Sequence, residues 1–274
     1  MLFGTAGTPR SSNSKDSISG IERIYKLGLG CMEVEFVRGV KMGREKALKV
    51  KAASTKHKVA LSVHAPYYVN LNSPDKEKLK ASVERILESA RIGAICGARN
   101  IVFHAGFYMK SQKRAVYARV KSNLEKIHQT LSTEGIDVVL RPETTGKRTQ
   151  FGSLEEVLSL SAEVEGVQPC VDFSHLHART GRANTKEEFT GILGEIENSL
   201  GRDALQDMHI HLSGINYTRK GERNHLNLSE SDLRYALLLE AWRGFDIKGL
   251  VICESPNLEG DAVLLRDMYV KLGC

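Results

Sequence analysis

Short apolar runs recur along the chain, and each is followed by a longer segment whose apolar residues fall at helical spacing. The runs predict strands over 2–4, 31–36, 59–64, 100–104, 136–141, 167–172, 208–212 and 249–253. The amphipathic segments predict helices over 17–27, 44–56, 75–95, 115–131, 153–163, 186–200, 229–242 and 261–271. Several helices open on a capping residue followed by acidic groups, as in Ser-Pro-Asp-Lys-Glu from Ser73 and Ser-Leu-Glu-Glu from Ser153. Strict strand-helix alternation implies parallel strands with helical crossovers, and eight such units are the count of a closed α/β barrel, the (β/α)8 or TIM barrel. No low-complexity tract or Pro/Gly-rich linker divides the sequence, so a single domain over 1–274 is expected.

Composition narrows the setting. With 274 residues, 41% hydrophobic and 26% charged, the chain can bury a substantial core. A net charge of +6 suits a polyanionic partner without demanding one. The five cysteines, Cys31, Cys96, Cys170, Cys253 and Cys274, are odd in number and form no Cys-x-x-Cys pair, which argues against a disulfide framework or a zinc ribbon. No apolar run approaches a membrane span and no secretory leader opens the sequence. A soluble, cytoplasmic protein with no membrane partner is expected, acting as a monomer.

The ends of the strands carry the chemistry. His64, His104, Glu143, Asp172, His211 and Glu254 each fall at or just past the end of an apolar run, one strand-helix unit apart. In a parallel barrel the C-terminal strand ends converge on one face, where active sites are built. Singly, Asp172 reads as a turn cap, Glu143 as a solvated loop acid and each histidine as a satisfied core group. Together, three carboxylates and three imidazoles around one mouth are costly unless cations neutralise them. Imidazole with carboxylate suits zinc and also admits manganese or iron. A carboxylate among histidines can bridge two metals spaced for in-line attack at phosphorus. His209 rivals His211 on the same strand face and His177 rivals His175, whereas His57 and His128 sit in helical patterns and read as surface residues.

Six motifs, VHAPYYVNLNS, IVFHAG, LRPETTGKRTQFGSLEEV, VDFSHLHARTG, IHLSG and ICESPN, occur in this order between about Phe3 and the C-terminal helix. Together they resemble the endonuclease IV family of apurinic/apyrimidinic endonucleases. The resemblance implies a zinc-dependent hydrolase of DNA base-excision repair, which cuts double-stranded DNA on the 5′ side of an abasic site and leaves a 3′-hydroxyl. By position it places His64, His104 and Glu143 on one zinc, and Glu143, Asp172, His211 and Glu254 on a second, with Glu143 as the catalytic bridge. His175 and His225 match histidines of the family's third zinc site. Where the family carries an aspartate ligand two residues before the second histidine, this chain has Arg223; Glu222 is the nearest carboxylate and the candidate replacement. Tyr67 occupies the position of a tyrosine that enters DNA at the lesion, Tyr68 stands where many relatives carry leucine, and Arg38 is a further candidate DNA contact.

Two other readings compete. A metal-dependent sugar isomerase or epimerase shares the barrel and some metal-binding strand ends, but His-x-x-Tyr-x-x-Asn-Leu from His64 and Pro-Glu-Thr with a downstream Phe-Gly-Ser are more like the endonucleases. A DNA-lesion-binding relative with reduced cleavage is the other reading, suggested by the altered third site.

Overall fold

Each of the eight predicted strands contributes to one parallel sheet in the computed structural model, which describes residues 1–273. In chain order the elements are β1 (Leu2–Ala6), α1 (Ser17–Lys26), β2 (Cys31–Glu35), α2 (Arg44–His57), β3 (Ala60–His64), α3 (Lys76–Cys96), β4 (Asn100–Phe103), α4 (Lys113–Thr133), β5 (Val139–Pro142), α5 (Leu154–Glu163), β6 (Cys170–Asp172), α6 (Phe173–Thr180), α7 (Lys186–Leu200), α8 (Arg202–Gln206), β7 (Met208–Leu212), β8 (Gly214–Thr218), β9 (Gly221–Leu226), α9 (Tyr235–Gly244), β10 (Gly249–Cys253) and α10 (Glu259–Lys271). Eight of the strands run in the order β5-β4-β3-β2-β1-β10-β7-β6. Two parallel bridges, Leu140 with Val167 and Glu143 with Cys170, join β5 to β6 and close the sheet into a TIM barrel.

Local chemistry sets the boundaries. Asp75 caps α3 by accepting from the Glu77 and Lys78 amides, and Ser153 and Glu156 form a reciprocal capping box at α5. Gly97 and Gly181 stop α3 and α6 in the left-handed conformation. Strands β5 and β6 are shorter than the predicted 136–141 and 167–172. Ile136 and Val138 lie before β5, and Val167 keeps only an isolated bridge. The predicted helix 229–242 is in fact a short 3-10 turn over Leu228–Glu230 followed by α9 from Tyr235. Helices α6 and α8 and the antiparallel β8–β9 hairpin are additional to the sequence expectation.

The apolar core lies between barrel and helices: Val63, Ile101, Leu140 and Ile210 of the strands are fully buried, as are Ile86, Leu124 and Trp242 of the helices. Cys31, Cys96, Cys170 and Cys253 are buried free thiols, while Cys274 lies outside the described residues. Among the described residues no helix is long and apolar enough to cross a membrane.

Candidate metal centre

Glu143 follows directly on β5, where the strand ends at Pro142, and its carboxylate is the hub of the cleft. The side chain is buried, and four imidazoles face it. His64 Nε2 and His104 Nε2 lie 3.2 Å and 2.9 Å from Oε2, while His175 Nδ1 and His211 Nδ1 lie 3.1 Å and 3.4 Å from Oε1. His64 ends β3, His104 follows β4, and His211 lies one residue before the end of β7, so the barrel itself brings these groups together. Asp172 closes β6 and serves two roles, since its side chain also caps α6 by accepting from the His175 amide at 2.6 Å. That short helix places His175 over the cleft. Glu254, just after β10, completes this side, 3.4 Å from His211 Nδ1.

Four groups of candidate ligand atoms result among the described residues, each with its members within 4.8 Å of one another: His64, His104 and Glu143; Glu143, Asp172, His211 and Glu254; His175, Glu222 and His225; and, sharing His211, the fully buried Cys170, His209 and His211. A metal ion fits this donor set. Glu143 Oε1, Asp172 Oδ2 and His211 Nδ1 are buried polar atoms without a hydrogen-bond partner, the condition a coordinated cation relieves. The imidazoles are also oriented for it. His64 donates Nδ1–H to the Ala65 carbonyl at 2.7 Å, His175 to the Thr144 carbonyl at 3.0 Å and His225 to the Glu254 carbonyl at 3.2 Å, which leaves each Nε2 facing a carboxylate.

The hairpin β8–β9 carries the third group. Gly221 of the hairpin approaches Gly146 of the loop after β5, and the Glu222 amide donates to the Gly146 carbonyl at 3.2 Å. A Cβ on Gly221 would lie 2.3 Å from that carbonyl oxygen, so only glycine permits the contact. This clamp turns Glu222 towards the cleft, with Oε2 at 3.5 Å from His175 Nε2. Arg223, next in sequence, is the exposed extra residue of a bulge, since Tyr217 pairs with Glu222 and Asn216 with Asn224, and the bulge brings Glu222 and His225 to one face.

Electrostatics reflect the crowding in the metal-free side chains. Burial opposes ionisation of Glu143, yet His104 and His211 hold its carboxyl well below the usual range. Burial also opposes charge on His64, but its hydrogen bond to Glu143 and the Glu35 carboxylate raise it to about 10. Asp172 is pushed up to about 7 by burial, with Glu254 and Glu143 adding to the shift.

The rim differs from the floor. Tyr67 and Tyr68 stand 49% and 67% exposed on the loop after β3, with the Tyr67 ring 5.4 Å from that of His64. Phe107, on the loop after β4 and not anticipated from the sequence, lines the same cleft of about 330 Å³. Arg38 is exposed on the loop after β2, where it lines a cavity with Lys15, Lys41 and Lys46. Lys147, Arg148, Arg219, Lys220 and Arg223 line another, between the loop after β5 and the hairpin. In the order of strands β2 lies opposite β6, so the two basic surfaces flank the cleft on different sides.

Of the rival histidines, His177 points away from the cleft, bonded to the Arg182 carbonyl and to Asp232. His209 shares the interior face with His211, one layer deeper, and both meet a buried carboxylate that sequence reasoning missed, Glu33 of β2. Glu35, two residues on, is a second missed acid, with a buried Oε1 that lacks a partner. His57 and His128 lie on α2 and α4, half-buried, and contribute nothing to the cleft.

Known proteins place this architecture. A chain of Methanocaldococcus jannaschii, itself uncharacterized, is 47% identical over 99% of this chain and 98% of its own length. The probable endonuclease 4 of Aquifex aeolicus is 29% identical over 82% of this chain and 81% of its own. Among solved structures, endonuclease IV from Thermus thermophilus superposes with a TM-score of 0.74 at 19% identity, covering 97% of this chain and 99% of that one. A D-tagatose 3-epimerase-like protein superposes with a TM-score of 0.69 at 18% identity, covering 99% and 97%. At such identities the two superpositions speak for the fold. The family model that describes the xylose isomerase-like TIM barrel matches residues 21–269, and the chain belongs to that family.

Proposed function

We propose that the protein is a metal-dependent endonuclease of DNA repair, which hydrolyses the phosphodiester 5′ to an abasic site in double-stranded DNA and leaves a 3′-hydroxyl. The observation that carries this reading is the union of a polynuclear cluster of metal ligands with two basic walls and an aromatic edge. Four cations on one side and five on another suit a polyanion that crosses the cleft, with phosphates held on both sides of the cut. A small neutral sugar, the substrate of the epimerase alternative, leaves those cations without a role. Tyr67 and Tyr68 offer stacking faces beside the cleft, where a missing base leaves a gap to fill.

Zinc is the proposed metal, with manganese or iron compatible with the same donors. His64, His104 and Glu143 hold one ion, Glu143, Asp172, His211 and Glu254 a second, and His175, Glu222 and His225 a third. Bound there, the ions supply Lewis acidity to the phosphodiester and lower the pKa of water. The protein's own part is to hold Glu143 ionised between the two clusters, to aim Nε2 of His64, His175 and His225 at them, and to exclude bulk water from a buried floor. Arg38 and the hairpin cations align the strand. The test is nicking of a duplex with one abasic analogue, with and without a chelator. Cleavage at the 5′ side that chelator abolishes and zinc restores is expected. An intact duplex under both conditions, with binding retained, favours the lesion-binding alternative.

A further inference from the structure

His211 is anchored unlike its neighbours. His64 and His225 donate to backbone carbonyls from the ring nitrogen turned away from the cleft, and His175 Nδ1 donates to the Thr144 carbonyl while lying 3.1 Å from Glu143 Oε1, but His211 turns Nδ1 to the cleft and Nε2 inward, 3.0 Å from Oε1 of Glu33. Glu33 belongs to β2 and His211 to β7, three strands round the sheet, so the carboxylate reaches across the barrel interior. Its other oxygen accepts from the Ser62 hydroxyl at 2.7 Å and from His209 Nε2–H at 3.1 Å. Glu33, His209 and His211 are all fully buried.

Taking the second ligand group as a metal site, we infer that Glu33, braced by His209 and Ser62, is the positioning residue that presents His211 Nδ1 to the metal. An ionised carboxylate only accepts hydrogen bonds. Ser62 and His209 donate to one of its oxygens, and the other faces His211 Nε2 at 3.0 Å as a close charge contact with no hydrogen-bond partner of its own, so the proton of each histidine is drawn to Nε2. For His211 that leaves Nδ1 as the nitrogen offered to a metal, between Glu143 and Glu254. Carbonyl anchors fix ring orientation in the same way, but a carboxylate also raises the basicity of the ligand nitrogen. The His-Ile-His spacing of β7 then has a reason, because side chains two apart share a face. His211 binds and His209 holds the group that aims it.

The chain's third brace, Ser62, sits beside Glu33 in register on β3, so the carboxylate is fixed from its own wall as well as from the opposite one. Glutamine at position 33 breaks this arrangement without changing its volume. Its single amide oxygen cannot serve both imidazoles, and its NH2 forces one ring to accept at Nε2 and to carry its proton on Nδ1.

The test is competition for zinc against a chelator on folded protein, with zinc counted per chain and the histidine N–H signals of the zinc-loaded protein recorded by 15N NMR. Glu33→Gln is expected to bind zinc about ten- to a hundredfold more weakly, the usual cost of losing such a partner, and to lose the His211 Nε2–H signal. His209→Gln, whose amide N–H can replace the imidazole donor, is expected to stay within about threefold of wild type, and His209→Leu to weaken zinc more than that. A purely structural role lowers the melting temperature of the metal-free variants without altering zinc affinity, and that result overturns the assignment. If Glu33→Gln does not fold, the His209 pair decides, equal affinities of its two members again overturning the assignment. Wild-type protein that binds no zinc overturns the metal reading along with this one. Wild-type protein that binds zinc no better than Glu33→Gln overturns this one alone.

Discussion

Glutamine in place of Glu143 strikes the centre where its charge is most concentrated. The two side chains are nearly isosteric and the site is buried, so the change removes charge without opening a cavity. One carboxylate faces four imidazoles within 3.4 Å and belongs to two ligand groups. Without it the first group keeps only His64 and His104, half of the four ligands that zinc prefers, and the second keeps Asp172, His211 and Glu254. Loss of a partner that merely orients a ligand costs about ten- to a hundredfold in metal affinity, so loss of a shared anionic ligand costs at least about a hundredfold, or about 2.7 kcal/mol. Abasic-site nicking is expected to fall by at least the same factor, and zinc per chain to drop. Elemental analysis after dialysis, paired with single-turnover nicking, reads both, and melts in chelator separate a damaged fold from a damaged site. A Glu143→Gln protein that keeps its zinc and cuts within tenfold of wild type refutes the bridging role.

The other expectations follow from the same geometry. Tyr67→Ala should weaken binding to abasic duplex by about 1 to 3 kcal/mol while sparing intact duplex, and equal losses on both substrates rule out a lesion-specific contact. Because the folded-state value of His64 is raised to about 10, its contribution to the stability of metal-free protein is complete below the unfolded value of 6.5 and is lost as pH rises towards 10. Zinc affinity should rise over that window by up to about tenfold per pH unit for each proton displaced, and a flat profile by chelator competition contradicts the protonation. Replacing Arg219 and Lys220 together by glutamate should reduce the slope of log affinity against log salt by about 0.9 for each phosphate released, with an unchanged slope removing the hairpin from the interface. Glu222→Gln should lower occupancy of the third metal selectively and slow cleavage; an anomalous map with a full third site and Glu222 turned to solvent refutes its ligand role.

Most of the barrel is legible because its strands are buried on the helix side, where residues such as Val63, Ile101 and Ile210 announce themselves. Strand ends could be read from spacing alone, because one crossover unit separates each from the next. The interior was harder. In Met32-Glu33-Val34-Glu35 the alternation is plain, but the polar members face inward and the apolar ones meet the helices, the reverse of a half-exposed strand. A reader of sequence sends those glutamates to solvent. Helix α6 was missed for a different reason: nearly all of Phe173–Thr180 is buried, so no polar face betrays the period. The hairpin escaped because Gly214–Thr218 and Gly221–Leu226 are short and largely polar, and what holds them is the clamp at Gly146 and Gly221 rather than a hydrophobic face. Phe107 had no signal at all, as a single aromatic residue in a loop.

The barrel interior also explains how so many acids can share one buried mouth. At the bottom, Arg141 is sealed between Asn100, the Pro169 carbonyl and Asp207. One layer up, Glu33 meets Ser62, His209 and His211, and burial is overcome so far by those two imidazoles that its carboxyl stays well below the usual range. Above that lie Glu143, Asp172 and Glu254 with their histidines, and Glu35 beside them. Cation and anion thus alternate up the axis until the top layer, whose neighbouring cations are the half-buried Lys147, which lines the cleft, and exposed rim lysines and arginines screened by solvent. In metal-free protein that layer is balanced by protons, with Asp172 raised to about 7 and Glu35 to about 8. On the proposed reading, metal ions replace the protons and continue the alternation. Folding and metal uptake are then linked through the same acids, which is why the cleft can be buried as deeply as a core and still be made of ionisable groups.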